Sequence, residues 1–359
     1  MAALIDRLRN DGYDVQGPTV RDGAIAYEHI ESAHELPAGW SDTQEPGSYR
    51  LVKRDDGALF QYGPAAQSWK RLLSPPVETI LRVERTANGI RFVDEPRAVP
   101  RYAFVGVRSC DLHAMRSLET ALAADPAVKQ RREAAFIVVV NCGRSVSTCF
   151  CASMGTGPRA SGGFDLALTE LLEGGQRYLA ESGSTRGAAL LESLDSQRAR
   201  EGDIAQAARA VDEAASQQQS RTLATEGLRD VLYAAEASPQ WERVAARCTA
   251  CGACTMVCPT CFCTNIADSS DVTGLTASRV KLWDSCFNLE FSYIHGGSVR
   301  RSGAARYRQW ITHKLAYWTE QFDTHGCVGC GRCITWCPVG IDIVAEARAA
   351  AQGGSHESS

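Results

Sequence analysis

The chain has no apolar run long enough to cross a bilayer. Its longest strongly apolar stretch, residues 134–140, is far short of the length a span needs. It carries little excess charge: 38 Lys and Arg stand against 42 Asp and Glu, a formal net charge of −4. That balance offers no electrostatic footprint for nucleic acid. The first ten residues include Asp6, Arg7 and Arg9, and no small-residue cleavage site follows an apolar core, so no signal peptide is expected. Nucleotide-binding turns are missing too. Gly155-Thr156-Gly157-Pro158 has no strand entering it and no helix leaving it, and there is no Walker A sequence. These absences lead us to expect a soluble, cytoplasmic protein with no membrane segment, no nucleic-acid partner and no nucleotide site of its own.

What the chain has in quantity is cysteine, 15 in 359 residues. That falls well below the density of a small disulfide scaffold. In a reducing compartment such thiols bind metal rather than pair. Cys248, Cys251, Cys254 and Cys258 are followed by Pro259, and the same C-x2-C-x2-C-x3-C-P run returns at Cys327, Cys330, Cys333, Cys337 and Pro338. This is the bacterial ferredoxin spacing for [4Fe–4S] clusters. Each iron corner of a cube needs a soft thiolate. Steps of three residues let one loop wrap three corners, and the fourth cysteine reaches the other cluster. The spacing therefore predicts Cys248, Cys251, Cys254 and Cys337 on one cube, and Cys327, Cys330, Cys333 and Cys258 on the other. Gly252, Gly329 and Gly331 suit loops that curl closely around a cube. A pair of zinc ribbons would need only separated C-x2-C pairs and leaves the third cysteine and the Pro unexplained.

Along the chain, residues 2–9 read as a short helix with Leu4, Ile5 and Leu8 on one face. Strand-like pieces follow at 50–53, 58–62 and 89–93, with 77–83 reading as helix and Trp69 as core. From Pro100 the pattern becomes strand 102–107, helix 111–123 and strand 135–140, a right-handed βαβ unit on a buried parallel sheet. Further strand material is expected at 164–171 and 176–180. Residues 183–238 read as helices, with a weak stripe of Ile204, Ala208, Val211 and Ala215 and a better one of Leu228, Val231 and Leu232. Between the two cysteine runs, a helix near 304–321 turns Tyr307, Ile311, Leu315 and Trp318 one way. Its other face and approach carry Arg300, Arg301, Arg306, Arg308, His313 and Lys314. These cations form either a solvated face or a charge that raises the potential of nearby anionic clusters.

The expected fold class is α+β. An N-terminal α/β domain with a partly parallel sheet spans 1–182, and a helical bridge spans 183–240. A helix-rich two-cluster ferredoxin-like domain with a long helical insert spans 241–346, and a disordered tail spans 347–359.

Seven cysteines stand outside the two runs. Cys110 and Cys142 follow the ends of two strands of one βαβ unit, so their loops should open on the same sheet edge. Cys149 and Cys151 are near enough in sequence to reach that edge. These four thiolates predict a third [4Fe–4S] cluster, favoured by the positive N-terminal end of the helix beginning at Asp111. A structural zinc on the same ligands is the competing assignment. Asp111 and His113 are candidate substitute ligands. Cys261, Cys263 and Cys286 are read first as thiols packed against the ferredoxin core. A further cluster on these three, or a redox-sensing role, is the alternative.

Several stretches together carry a family resemblance: Phe104-Val105-Gly106-Val107-Arg108-Ser109-Cys110-Asp111-Leu112, the segment from Cys149 to Pro158, Cys258-Pro259-Thr260-Cys261-Phe262-Cys263, Trp283-Asp284-Ser285-Cys286, and Cys327-Val328-Gly329-Cys330-Gly331-Arg332-Cys333. They resemble the beta subunit of soluble NAD(P)-linked [NiFe] hydrogenases, or sulfhydrogenases, the group to which an electron-transfer component of anaerobic sulfite reductase also belongs. The resemblance implies a non-catalytic electron-transfer subunit. It would relay electrons between a flavin subunit that binds NAD(P) and the small and large subunits of a [NiFe] hydrogenase. Sulfite reductase as the partner is the near alternative. A chain that itself reduces polysulfide or a disulfide at a site-differentiated N-terminal cluster is the more distant one.

Overall fold

The computed structural model describes residues 1–93 and 97–354. Helix α1 (Ala2–Asn10) buries Leu4, Ile5 and Leu8. Strands β1 (Asp14–Arg21) and β2 (Ala24–His29) follow, then the hairpin of β3 (Trp40–Glu45) and β4 (Ser48–Lys53), and the single turn α2 (Lys70–Leu73). Next come β5 (Val77–Thr86), β6 (Gly89–Val93), β7 (Tyr102–Val107), α3 (Ser109–Ala121), α4 (Pro126–Ala134), β8 (Phe136–Val140), β9 (Leu166–Leu171) and β10 (Arg177–Ser182). The main sheet runs β10-β9-β8-β7-β1-β2. Its four central strands are parallel and its two edges antiparallel. β7 and β8 are continuous apolar runs because both faces of a parallel sheet are covered. Their C-terminal ends point the following loops to one edge, where the first group of thiols lies.

Two N-terminal segments differ from expectation. Residues 77–83, expected as helix, form the start of β5. Val77, Thr79, Ile80 and Val83 favour the pleat, Pro75-Pro76 forces extension, and a partner strand arrives from almost two hundred residues away. Residues 58–62, expected as strand, pair with no strand. The Leu59 and Phe60 amides donate instead to the buried Glu170 carboxylate at 2.7 and 3.1 Å. Trp69 is core, 1% exposed and stacked on Tyr27 at 4.2 Å.

The bridge is helical: α5 (Thr185–Glu192), α6 (Glu201–Ser216) and α7 (Leu228–Ala234). The stripe expected on α6 is rotated. Its buried face is Gln206, Ala207, Val211 and Ala214, and Ile204 is exposed. In an Ala-rich helix many faces are nearly equally apolar, so periodicity leaves the phase loose. On α7, Leu228 and Leu232 are buried but Val231 is exposed.

The C-terminal region contains α8 (Gln240–Ala245), α9 (Ala253–Met256), β11 (Thr264–Ser270), β12 (Thr276–Trp283), α10 (Gly303–Thr312), a π-helical segment His313–Tyr317, α11 (Trp318–Phe322), α12 (Arg332–Thr335) and α13 (Ile343–Gly354). The insert between the cysteine runs therefore opens with a hairpin, not with helix alone. That hairpin joins a second sheet in the order β11-β12-β5-β6, which mixes the 1–182 and 241–346 segments. Tyr307, Ile311, Leu315 and Trp318 are all buried, as their spacing predicts. The expected disordered tail is corrected in part: helix α13 runs through 347–354 and buries Ala347 and Ala350, small residues that allow close packing, while 355–359 lie outside the described residues.

Candidate iron–sulfur centres

Helix α8 ends just before Cys248, and the loop turns through Ala250 and Gly252, both with positive φ, into α9. Cys248, Cys251, Cys254 and Cys337 line one pocket, with Cys333 also on its wall. Phe287, Tyr307 and Trp310 close the pocket and pack edge-on against one another at 5.5 to 6.0 Å. Cys251 is the one exposed thiol of the fifteen. Burial pushes the Cys254 thiol far up, so ionising it requires a compensating cation.

The second run curls through Gly329 and Gly331, both with positive φ, into α12. At Gly329 a Cβ would lie 2.7 Å from the Cys151 backbone, so glycine lets the two thiol loops approach. Burial raises the Cys327 thiol to about 12; the Gly329 amide and Lys314 oppose it, and Cys330 and Cys258 add to it. Cys333 is raised by burial and then by Cys327, Cys330 and Cys258. Cys258 thus lies among the cysteines of the other run. Of the six cations noted around the insert helix, Lys314 alone is fully buried. Arg306 caps the carbonyls of Arg300 and Arg301, and Arg308 meets Glu236.

Cys110 sits in the first turn of α3, Cys142 follows β8, and Cys149 and Cys151 lie in the next loop. The structure brings them together. Burial raises Cys151, as do Cys149 and Cys142, and Cys110 is raised by burial, Asp111 and Cys151. Three buried or partly buried groups surround them that the sequence alone does not assign. Arg108, 1% exposed, donates Nη2 to the carbonyls of Phe60 and Tyr62 at 2.8 and 3.1 Å. Its Nε and Nη1 meet no acceptor, and Cys142 lies beside the guanidinium. Arg332, fully buried, pairs with Asp111 at 2.8 Å. Gln218 Nε2 donates to Cys151 Sγ at 3.4 Å. The signal for the arginines was present: Arg108 ends a continuous apolar strand, and Arg332 is wedged between two cysteines of a run. Asp111 is not a free substitute ligand, because its carboxylate is held by Arg332. His113 lines a different cleft with Arg116 and His325.

These surroundings fit an anionic cluster. An orphaned buried guanidinium is costly without a negative group near it, and the groups at hand to supply one are the thiols. Among the described residues, no three His, Cys, Asp or Glu side chains converge closely enough for one metal ion. A zinc draws its thiolates to about 2.3 Å from a single point, whereas a cube spreads them over four corners.

The three groups are contiguous. Cys330 shares a buried apolar cluster with Cys110 and Cys151. Cys333, from the same loop as Cys330, lines the pocket of Cys248, Cys251, Cys254 and Cys337. The sheet and the ferredoxin-type region interlock here, with the Phe150 amide donating to the Gly329 carbonyl at 2.8 Å and Tyr49 stacked on Trp336 at 5.1 Å.

Two ferredoxin-type runs wound together at one end of the chain define an iron–sulfur protein, and residues 247–341 match the 4Fe-4S dicluster domain family. Over 350 residues the chain is 30% identical to sulfhydrogenase 2 subunit beta of Pyrococcus furiosus, covering 95% of this chain and 93% of that protein. The chain belongs to the sulfhydrogenase beta-subunit family, and is an iron–sulfur electron-transfer subunit of a multisubunit complex. No solved structure matches it. No helix among the described residues is long and apolar enough to cross a membrane.

Proposed function

We propose that the chain relays electrons between a flavin subunit that binds NAD(P) and a [NiFe] hydrogenase module, through three [4Fe–4S] centres in line. Cys110, Cys142, Cys149 and Cys151 hold the inner centre. Cys327, Cys330, Cys333 and Cys258 hold the middle one, and Cys248, Cys251, Cys254 and Cys337 the outer one. Such clusters accept and pass single electrons. The observation that carries the reading is contiguity: the Cys327–Cys333 loop has one thiol against the inner group and another on the wall of the outer group. The protein's part is to hold the thiolates, to exclude water around the inner and middle groups, and to supply buried positive charge from Arg108, Arg332 and Lys314. Exposure of Cys251 marks the outer centre as the one open to a partner subunit.

Anaerobic purification of the tagged chain from its own cells tests the reading. A flavoprotein and hydrogenase subunits should co-purify, with about twelve irons per copy of this chain beyond those of its partners. The isolated chain should not bind NADH or NADPH. Co-purification with sulfite reductase subunits would replace the hydrogenase partner. Reduction of polysulfide by the isolated chain with an artificial donor would replace the relay by an enzyme.

A further inference from the structure

Thr260-Cys261-Phe262-Cys263 repeats Thr148-Cys149-Phe150-Cys151, and the two copies dock on the same 326–335 segment. The earlier copy does so through the Phe150 amide on Gly329 and a 2.9 Å contact between the Thr148 and Thr335 hydroxyls. The later copy does so through the Thr260 hydroxyl, which donates to the Gly326 carbonyl at 2.6 Å. Each copy contributes two thiols to a group completed from elsewhere. For the first, the completing residues are Cys110 and Cys142. For the second, it is Cys286, brought in by the turn after β12, where the Asp284 amide donates to the Cys263 carbonyl at 2.9 Å. The Cys263 and Cys286 thiols are hydrogen-bonded to each other, and Cys261 is hydrogen-bonded to Cys258.

An independent feature points to negative charge at this place. Lys314 is 3% exposed, with Nζ 3.0 Å from the Thr260 hydroxyl and 3.3 Å from the Gly326 carbonyl. Lys70 is 5% exposed, with Nζ donating to the Cys261 carbonyl at 3.0 Å and lying 3.7 Å above the Trp283 ring. Among the described residues neither ammonium forms an ion pair with a carboxylate. Two buried cations without counter-ions cost several kcal/mol each, so the site requires anions, and the groups at hand are thiols. Cys258 is assigned to the middle centre, which leaves Cys261, Cys263 and Cys286. Lys314 also stands in the π-helical segment His313–Tyr317, an irregularity that recurs at functional sites.

We infer that Cys261, Cys263 and Cys286 hold a fourth iron–sulfur cluster, lateral to the middle centre, with Lys314 and Lys70 balancing its charge. Three protein thiolates leave one corner of a cube without a cysteine, so this cluster is site-differentiated where the other three are fully thiolate-ligated. With it, each of the fifteen cysteines belongs to a cluster.

The test is a difference measurement on the anaerobically purified complex. Cys263→Ala/Cys286→Ala should lose about four irons per chain relative to wild type, while the reduced-state EPR signals removed by Cys254→Ser and Cys333→Ser remain. Unchanged iron in that variant overturns the inference, as does one zinc per chain that disappears with it. Should the double variant not fold, alkylation of the native wild-type complex decides. Protection of Cys261, Cys263 and Cys286 until the iron is chelated supports the cluster. Labelling at full occupancy before chelation, or a Cys263–Cys286 disulfide found by peptide mapping, overturns it. Cys142→Ala tests the inner centre separately: its failure to lose iron would count against the relay reading and not against this one.

Discussion

The ferredoxin-type runs and the sheet-edge thiols reach four-cysteine groups by opposite routes. In the runs, local spacing does most of the work, and each loop donates one cysteine across to the other group. The outer group keeps an exposed member, Cys251. At the sheet edge no spacing exists: Cys110 and Cys142 are joined by the parallel pairing of β7 with β8, and Cys149 and Cys151 by a loop clamped under Gly329. Here burial is nearly complete, and the charge that an anionic cluster requires comes from Arg108 and Arg332 instead of from water. A local motif can therefore work near the surface, while an assembled site needs the whole sheet behind it.

The sharpest way to break the comparison is to test the crossing of the runs. Cys258→Ser should remove the same EPR signal as Cys327→Ser, with loss of about four irons and of electron flow through the chain. Cys337→Ser should match Cys254→Ser. If Cys258→Ser instead matched Cys254→Ser, each run would serve its own cube and the local route would be complete in itself.

Next in size is the charge at the sheet edge. Replacing Arg108 with Met removes a buried cation beside Cys142, so the inner centre should become harder to reduce. We expect its midpoint to fall by roughly 60 mV, equivalent to a tenfold change for one electron, with Arg108→Lys restoring most of it. EPR-monitored redox titration reads the shift. A midpoint unmoved in Arg108→Met would mean that the orphaned guanidinium serves packing alone.

These outcomes bear on what the sequence could reveal. The two runs were legible because a cube's geometry is written in steps of three residues. The sheet-edge group was legible by a longer inference, from two apolar strands to one edge. Residues 77–83 were misread because their partner strand, β12, lies in the insert, and no local pattern announces a strand from so far along the chain. Residues 58–62 were misread because their amides are satisfied by one carboxylate, Glu170, in place of a ladder. Lys314 was grouped with exposed arginines because a helix-face count cannot anticipate that a π segment turns one lysine inward.

The contact between the two routes is a smaller target. At Gly331, with φ +77, a Cβ would run into the Thr148 backbone as well as strain its own. Gly331→Ala should cost about 2 kcal/mol or more and loosen the seam between the middle and inner groups. Chemical denaturation measures the first effect, and faster chelation of the inner irons the second. Unchanged stability with unchanged chelation would show that the seam tolerates separation.

The smallest expected effect concerns how the insert is fastened to the N-terminal region. Glu78 on β5 and Asp125 before α4 are bridged by Lys281 of β12 at 3.0 and 2.9 Å, and by Arg97 at 3.3 and 2.6 Å, with Arg131 also on Glu78. Burial alone would raise Asp125, but its hydrogen bonds to Arg97 and Lys281 hold it down at about 2. An unfolded aspartate titrates near 4, at about 3.9. The folded value lies below the unfolded one, so the stabilisation is full above about pH 4 and is lost as pH falls through about 2. Asp125→Asn should therefore cost about 1 kcal/mol at neutral pH once solvent screening is allowed for. The gap from wild type should hold constant down to about pH 4 and close below it. Urea midpoints followed by far-UV circular dichroism, which reads the fold and not the cluster colour, give that gap. If it narrowed already between pH 7 and pH 5, a histidine and not this carboxylate network would be fastening the insert to the sheet.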